Sequence, residues 1–218
     1  MDLTTIINRS IDNLPPDEHR KYIGASQIGH ECPRYIWYKL HNCSGRPLTA
    51  QTKMNFLIGR VLEKSILDLL EIEEIPLERP TQNNNWLFCQ DSEVPLLQGH
   101  LDAIINNEYV LEIKTAKESS FNQFVKRGLK NWSNVYYAQV IAYMGMMDFE
   151  IALMLVLNKN TGQFHHEEIK FDPYMYSELR MKALAISATD DPPARINKNP
   201  TYLLCSRCEF KNLCHGGE

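Results

Sequence analysis

Asp102, Glu112 and Lys114 are the residues whose types and spacing best suit chemistry. Gly99-His100-Leu101-Asp102 is followed, ten residues after the aspartate, by Glu112-Ile113-Lys114. Between them Asn106-Asn107-Glu108 is a polar turn, flanked by Ala103-Ile104-Ile105 and Tyr109-Val110-Leu111. Asparagine tolerates the left-handed backbone that a three-residue hairpin loop requires. That loop pairs Ile105 with Tyr109 and sets Asp102 opposite Glu112. Strand alternation then puts Glu112 and Lys114 on one face, Leu111 and Ile113 on the other. Two adjacent carboxylates repel unless a cation lies between them. Hard oxygen ligands suit Mg²⁺ or Mn²⁺, and a lysine beside them orients or deprotonates a water. Glu-x-Lys in a strand is also how a solvated charged face reads. An aspartate inside the apolar run Leu101 to Ile105 is not, since without a partner it costs stability.

A second constellation is Cys205-x2-Cys208-x5-Cys214, with Cys32 far upstream. Thiols this close together in an irregular stretch point to a soft-metal site, either zinc or an iron–sulfur cluster. Cys32 is the best fourth ligand, with His215 the alternative for zinc. Cys43 and Cys89 lack such a setting and read as buried free thiols. A site joining residue 32 to residues 205–214 would staple the chain's two ends around the domain.

The elements that must position these residues read as a mixed α/β domain. Residues 1–22 give a short helix and a polar, proline-containing connector. Ser26 is expected to cap a turn, and Pro33 to open a helix through Leu40. A longer helix is expected from Thr52 to Leu70, with Gly59, Glu63, Ile66 and Leu70 on one face. The acidic segment Glu71 to Glu78 reads as solvated surface, followed by a polar loop, Thr81 to Asn85. Strands are expected at Trp86–Gln90, Leu96–Ile105 and Tyr109–Thr115, then helices at Ser120–Arg127 and Val135–Met147. Ile151–Leu157 and Gln163–Phe171 read as an antiparallel pair, and Asp172-Pro173 opens a last helix to Ala188. From Asp190 the tail reads as proline-rich and irregular.

Composition bounds the function. The 218 residues are 44% hydrophobic and 23% charged, with a net charge of −4. That suits one soluble domain and gives no global attraction to nucleic acid, so such binding must use local patches, for which Lys126-Arg127-Gly128-Leu129-Lys130 is a candidate. No apolar run is long enough to span a membrane, and no secretory signal is visible, so a cytoplasmic location is expected. Six cysteines there argue against disulfides. No Gly-x-x-x-x-Gly-Lys-Ser/Thr loop is present, so the chain does not read as an ATPase.

Together these residues resemble the PD-(D/E)XK nuclease superfamily, in its RecB-like branch. Asp102 matches the first half of the motif and Glu112-Ile113-Lys114 the second. Gln139-Val140-Ile141-Ala142-Tyr143 resembles the Gln-x-x-x-Tyr motif of that branch, with both residues on one helical face. One cysteine early and three late is similar to the iron–sulfur subgroup, which includes the AddB nuclease domain and CRISPR-associated exonucleases. The segment Tyr136 to Lys159 also resembles phage recombination exonucleases. One departure is Glu63, four residues after Gly59, where many RecB-like members have histidine; lambda-type phage exonucleases use an acid there.

The resemblance implies a restriction-endonuclease-like mixed sheet flanked by helices, with an N-terminal segment (1–24), a nuclease core (25–189) and a cysteine-rich segment (190–218). It implies metal-dependent hydrolysis of DNA, from an end, in recombination, repair or CRISPR adaptation. Asp102, Glu112, the Ile113 carbonyl and Glu63 would hold Mg²⁺ or Mn²⁺. Lys114, Gln139 and Tyr143 would serve catalysis, and Cys32, Cys205, Cys208 and Cys214 would ligate a [4Fe–4S] cluster. Lys117, Lys126, Arg127 and Lys130 would contact phosphates. A helicase, an annealing protein or a CRISPR adaptation protein would be its partner. Two other classes fit the chain: a catalytically silent nuclease-fold DNA-binding or scaffolding subunit, and a zinc-stabilised nucleic-acid-binding module.

Overall fold

The computed structural model describes residues 1–14, 20–80 and 87–216. The loop expected at 81–85 and the first residue of the strand expected from Trp86 lie outside the described residues. In chain order the elements are α1 (Leu3–Asp12), β1 (Ile23–Gly24), α2 (Ala25–Ile28), α3 (Pro33–Leu40), α4 (Ala50–Ile72), β2 (Leu77–Glu78), β3 (Leu87–Gln90), β4 (Leu97–Leu101) and β5 (Ala103–Ile105). There follow β6 (Tyr109–Ala116), α5 (Glu118–Trp132), α6 (Asn134–Met147), β7 (Ile151–Asn158), β8 (Phe164–Lys170), α7 (Pro173–Ser187), α8 (Leu203–Arg207) and α9 (Lys211–His215). None of the described helices is long and apolar enough to cross a membrane.

Local chemistry sets the helix starts. The Thr49 side chain accepts the Thr52 amide at 3.2 Å to open α4, and Asp172 accepts the Met175 amide at 3.0 Å to open α7 behind Pro173. Each such cap is worth about 1 kcal/mol. Ser26 caps nothing: it lies inside α2, whose first turn starts from Gly24 without a side-chain cap. α5 runs past Arg127 to Trp132 because it bends rather than stops. At Gly128 (φ 71°) the backbone turns left-handed, and the Glu167 carboxylate takes the Leu129 amide at 2.6 Å.

The strands form two sheets, one of order β1-β4-β3 and one of order β2-β5-β6-β7-β8. β5 and β6 form the expected hairpin, Ile105 opposite Tyr109, with Asn106 and Asn107 both at positive φ. β6 and β7 are parallel, and α5 and α6 make the crossover between them. The expected single strand from Leu96 to Ile105 is instead two. It breaks at Asp102, so that β4 serves the small sheet and β5 the large one. Part of the segment expected to be solvated acid, Leu77–Glu78, pairs with β5 as an edge strand. Arg79 bridges Asp68 and Glu71 behind it, each at 2.8 Å.

The large sheet is covered on both faces. Leu111 and Ile113 pack with Ile66 and Leu67 of α4, while Val110, Met154 and Val156 face the core built on α6. Glu112 and Lys114 share the α6 face by strand alternation, as expected. That places a carboxylate in a covered layer, where it needs partners.

Candidate active site

Asp102 sits at the bend between the sheets. β5 begins only at Ala103, opposite Leu111, so past Leu111 this edge of β6 has no paired strand among the described residues. There the Asp102 carboxylate accepts the Ile113 amide at 2.7 Å. A charge-assisted bond of this kind contributes roughly 1.5–3 kcal/mol. Glu112 lies opposite and is fully buried, at 0% exposure. Its Oε1 takes both the Lys114 ammonium and the Gln139 amide, the latter at 2.8 Å. Its Oε2 has no partner among the described residues.

The α6 helix supplies the support. Gln139 Nε2 also donates to the Tyr143 hydroxyl at 3.0 Å, and that hydroxyl donates to the His100 carbonyl at 2.7 Å. A chain of polar contacts thus runs from β4 through α6 to Glu112. Gly99 makes room for it: a Cβ there would stand 2.4 Å from the Tyr143 ring. Gln139 and Tyr143 are both buried; Gln139 meets Glu112 directly, while Tyr143 meets Gln139 and the His100 carbonyl. Tyr136, which sequence reasoning passed over as a site residue, faces the lysine, its ring centroid 5.3 Å from Lys114 Nζ. The signal was its place three residues before Gln139 on the same helical face.

Electrostatics mark this spot. Burial, then the Asp102 charge, pushes Glu112 from 4.5 up to about 8. Burial, then Asp102, likewise pushes half-buried Glu63 on α4 up to about 7. Asp102 is raised by burial, against the pull of Lys114 and the Ile113 amide. Burial works against the Lys114 charge, but Glu112 and Asp102 outweigh it and raise its pKa. Three acids that share one field and resist ionising together are what a cation would relieve. Among the described residues no three such side chains close on one point as metal ligands. The donor set nevertheless fits a hard divalent ion: acidic oxygens, one of them buried and without a partner among the described residues.

The four expected cysteines converge. Cys32, at the start of α3, shares one small cavity with Cys205, Cys208 and Cys214 of the tail, and His215 lines it too. The tail is not irregular throughout, since Cys205 lies in α8 and Cys214 in α9. Burial, then neighbouring thiols, raises Cys205; burial also raises Cys208. The expected closed cluster is not seen among the described residues; the thiols line the cavity without closing as a ligand set. Side chains already join the two ends: Glu209 accepts from Tyr35 at 3.1 Å and pairs with Lys39 at 2.9 Å. All six cysteines are free, with Cys89 buried and Cys43 half-buried against the core.

Of the expected phosphate contacts, Lys117 is exposed at the start of α5, just past the end of β6, while Lys126 and Arg127 are exposed further along that helix. Lys130 is 3.8 Å from Asp172 and 4.9 Å from the Tyr137 ring centroid.

No protein-family model and no curated protein matches the chain. Solved structures do share its fold. An alkaline exonuclease from Laribacter hongkongensis, LHK-Exo, covers 78% of this chain with 88% of its own at 12% identity, with a TM-score of 0.59. In complex with dAMP the same enzyme gives a TM-score of 0.60. The protein SSO0001 covers 98% of this chain with 96% of its own, at 16% identity and a TM-score of 0.59. The fold is therefore one that an alkaline exonuclease uses.

Proposed function

We propose that the chain is a metal-dependent DNA nuclease that degrades DNA from an end. The observation that carries this is the Glu112 carboxylate, fully buried, raised to about 8, and left with one oxygen unpartnered among the described residues beside Asp102 and Glu63. The exonuclease identity of structural neighbours supports the same reading.

Asp102, Glu112, the Ile113 carbonyl and Glu63 would hold the ion. When bound there, Mg²⁺ or Mn²⁺ supplies Lewis-acid polarisation of a phosphate oxygen and a water of lowered pKa. Lys114 keeps its proton because two carboxylates face it, so it brings a fixed positive charge to where negative charge builds on the phosphate. Gln139 fixes the rotamer of Glu112, and Tyr143 fixes Gln139 while anchoring on the His100 carbonyl. Lys117 contacts the strand through phosphate, which fixes position without reading sequence. Cys32, Cys205, Cys208 and Cys214 would hold a [4Fe–4S] cluster, or Zn²⁺ in its place, whose role is to fasten the chain's ends.

The test is digestion of end-labelled single- and double-stranded DNA with Mg²⁺, Mn²⁺ or EDTA, beside Lys114→Ala and Glu112→Gln. Cleavage is expected only with metal and should fall about a hundredfold or more in each variant. Undiminished cleavage by folded Lys114→Ala would refute the assignment.

A further inference from the structure

We propose that the cleft beside Lys114 seats one unpaired nucleotide, its base stacked on Trp132 and Tyr136; the proposal rests on the nuclease reading for the role of that seat, not for its existence. The cleft lies at the carboxyl end of β6, where parallel strands open and α5 hands over to α6. Its volume is about 510 Å³, lined chiefly by Thr115, Lys117, Ser120, Trp132, Ser133 and Tyr136. That falls within the roughly 300–1,000 Å³ of small-molecule sites.

Both aromatic rings are half-buried and held in place. Trp132 donates its indole N–H to Ser120 Oγ at 3.0 Å and packs on Phe124, ring centroids 5.0 Å apart. Tyr136 lies with its centroid 5.4 Å from that of Trp132, its amide capped by Ser133. Rings fixed before a ligand arrives lose little entropy when they bind it. The hydroxyls of Ser120 and Ser133 each accept one of these bonds and keep their own proton to donate, so the walls are polar where a base edge would meet them.

Charge fixes the orientation. Lys114 Nζ stands 5.3 Å from the Tyr136 ring centroid and Lys117 is exposed at the rim. A base on the rings thus leaves its phosphate between two lysines, next to the carboxylates. A paired base has its faces covered by its neighbours and its edge by its partner, so the cleft selects a single-stranded or frayed end. Stacking of this kind is tolerant of sequence, because every base has a π-face.

The experiment compares binding, in EDTA, of a single-stranded decamer with that of a decamer of the same length and charge whose bases are removed. Wild-type protein should prefer the ordinary strand about tenfold or more. Trp132→Ala should lose most of that preference and Trp132→Phe should keep most of it; Tyr136→Leu serves as the second truncation if Trp132→Ala does not fold. Equal binding of the two strands by wild type, or a preference that survives the truncations, overturns the proposal. Because no metal or turnover is involved, a protein that cleaves DNA but ignores the bases would refute the seat alone. One that reads the bases but never cleaves would refute the nuclease reading alone.

Discussion

Raising the pH of the metal-free protein should destabilise it through Glu112, and the size of the effect follows from the site. In the folded chain burial and Asp102 hold this carboxyl protonated up to about 8, against an ordinary value of 4.5. The folded state therefore binds the proton more tightly than the unfolded state, and stability falls with pH across that window. The contribution is fully present below 4.5 and is lost as pH rises through about 8. At about 1.4 kcal/mol per pH unit the ceiling is on the order of 5 kcal/mol. Relaxation and entering water reduce this to about 2–3 kcal/mol. For a chain of this size that is roughly 5–10 °C in melting temperature. The assay is thermal melting from pH 5 to 9 in EDTA for wild type and Glu112→Gln, which keeps the shape of the side chain and cannot titrate. The variant's curve should be flatter by that amount, with Glu63 contributing a smaller slope to both proteins. Excess Mn²⁺ should flatten the wild-type curve, since ligands bind metal deprotonated. Parallel curves for the two proteins in EDTA would refute the placement of the proton on Glu112.

Three other outcomes can be measured directly. Gly99→Ala would press a methyl to 2.4 Å from the Tyr143 ring, costing about 1–3 kcal/mol in a melt and lowering cleavage beyond that loss, because Tyr143 must leave the His100 carbonyl. Anaerobically purified protein should be brown and Cys205→Ser should lose the colour; a colourless protein carrying one zinc per chain would replace iron with zinc. Asp172→Ala removes the cap on the Met175 amide and should cost about 1 kcal/mol, some 2–4 °C in melting temperature, with cleavage unchanged.

The hairpin was legible because its loop is chemical: Asn106 and Asn107 adopt the positive φ that asparagine tolerates, and the register follows from loop length. α7 was legible because Asp172 and Pro173 mark a helix start together. Other features carry no local signal. β1 and β2 are two residues each, too short for any period to show. The helices of the tail are five residues each, below what an amphipathic pattern can reveal. Trp132 and Tyr136 carry no signal of a site, since nothing in their spacing says that a cleft opens between their helices.

The break at Asp102 was illegible for a different reason, and it shows how the site is built. Alternation from Leu97 to Ala103 runs straight through the break, and periodicity says which face a residue takes but not which strand lies beside it. The turn from one sheet to the other takes the paired strand away from beside the Ile113 amide, and the Asp102 carboxylate accepts it instead. The same turn brings that acceptor against Glu112, where its charge helps to raise the buried carboxyl. One aspartate therefore does two jobs that the fold cannot separate: it completes the edge of β6, and its charge adds to burial in raising Glu112 and calling for a cation. Replacing it with asparagine would keep the first and remove the second. Asp102→Asn should thus fold and melt near wild type in EDTA at neutral pH, with Glu112 titrating closer to 4.5, yet lose Mn²⁺-dependent stabilisation and cleavage together. A variant that kept its Mn²⁺-dependent gain in melting temperature would show that the field at Glu112 is made elsewhere.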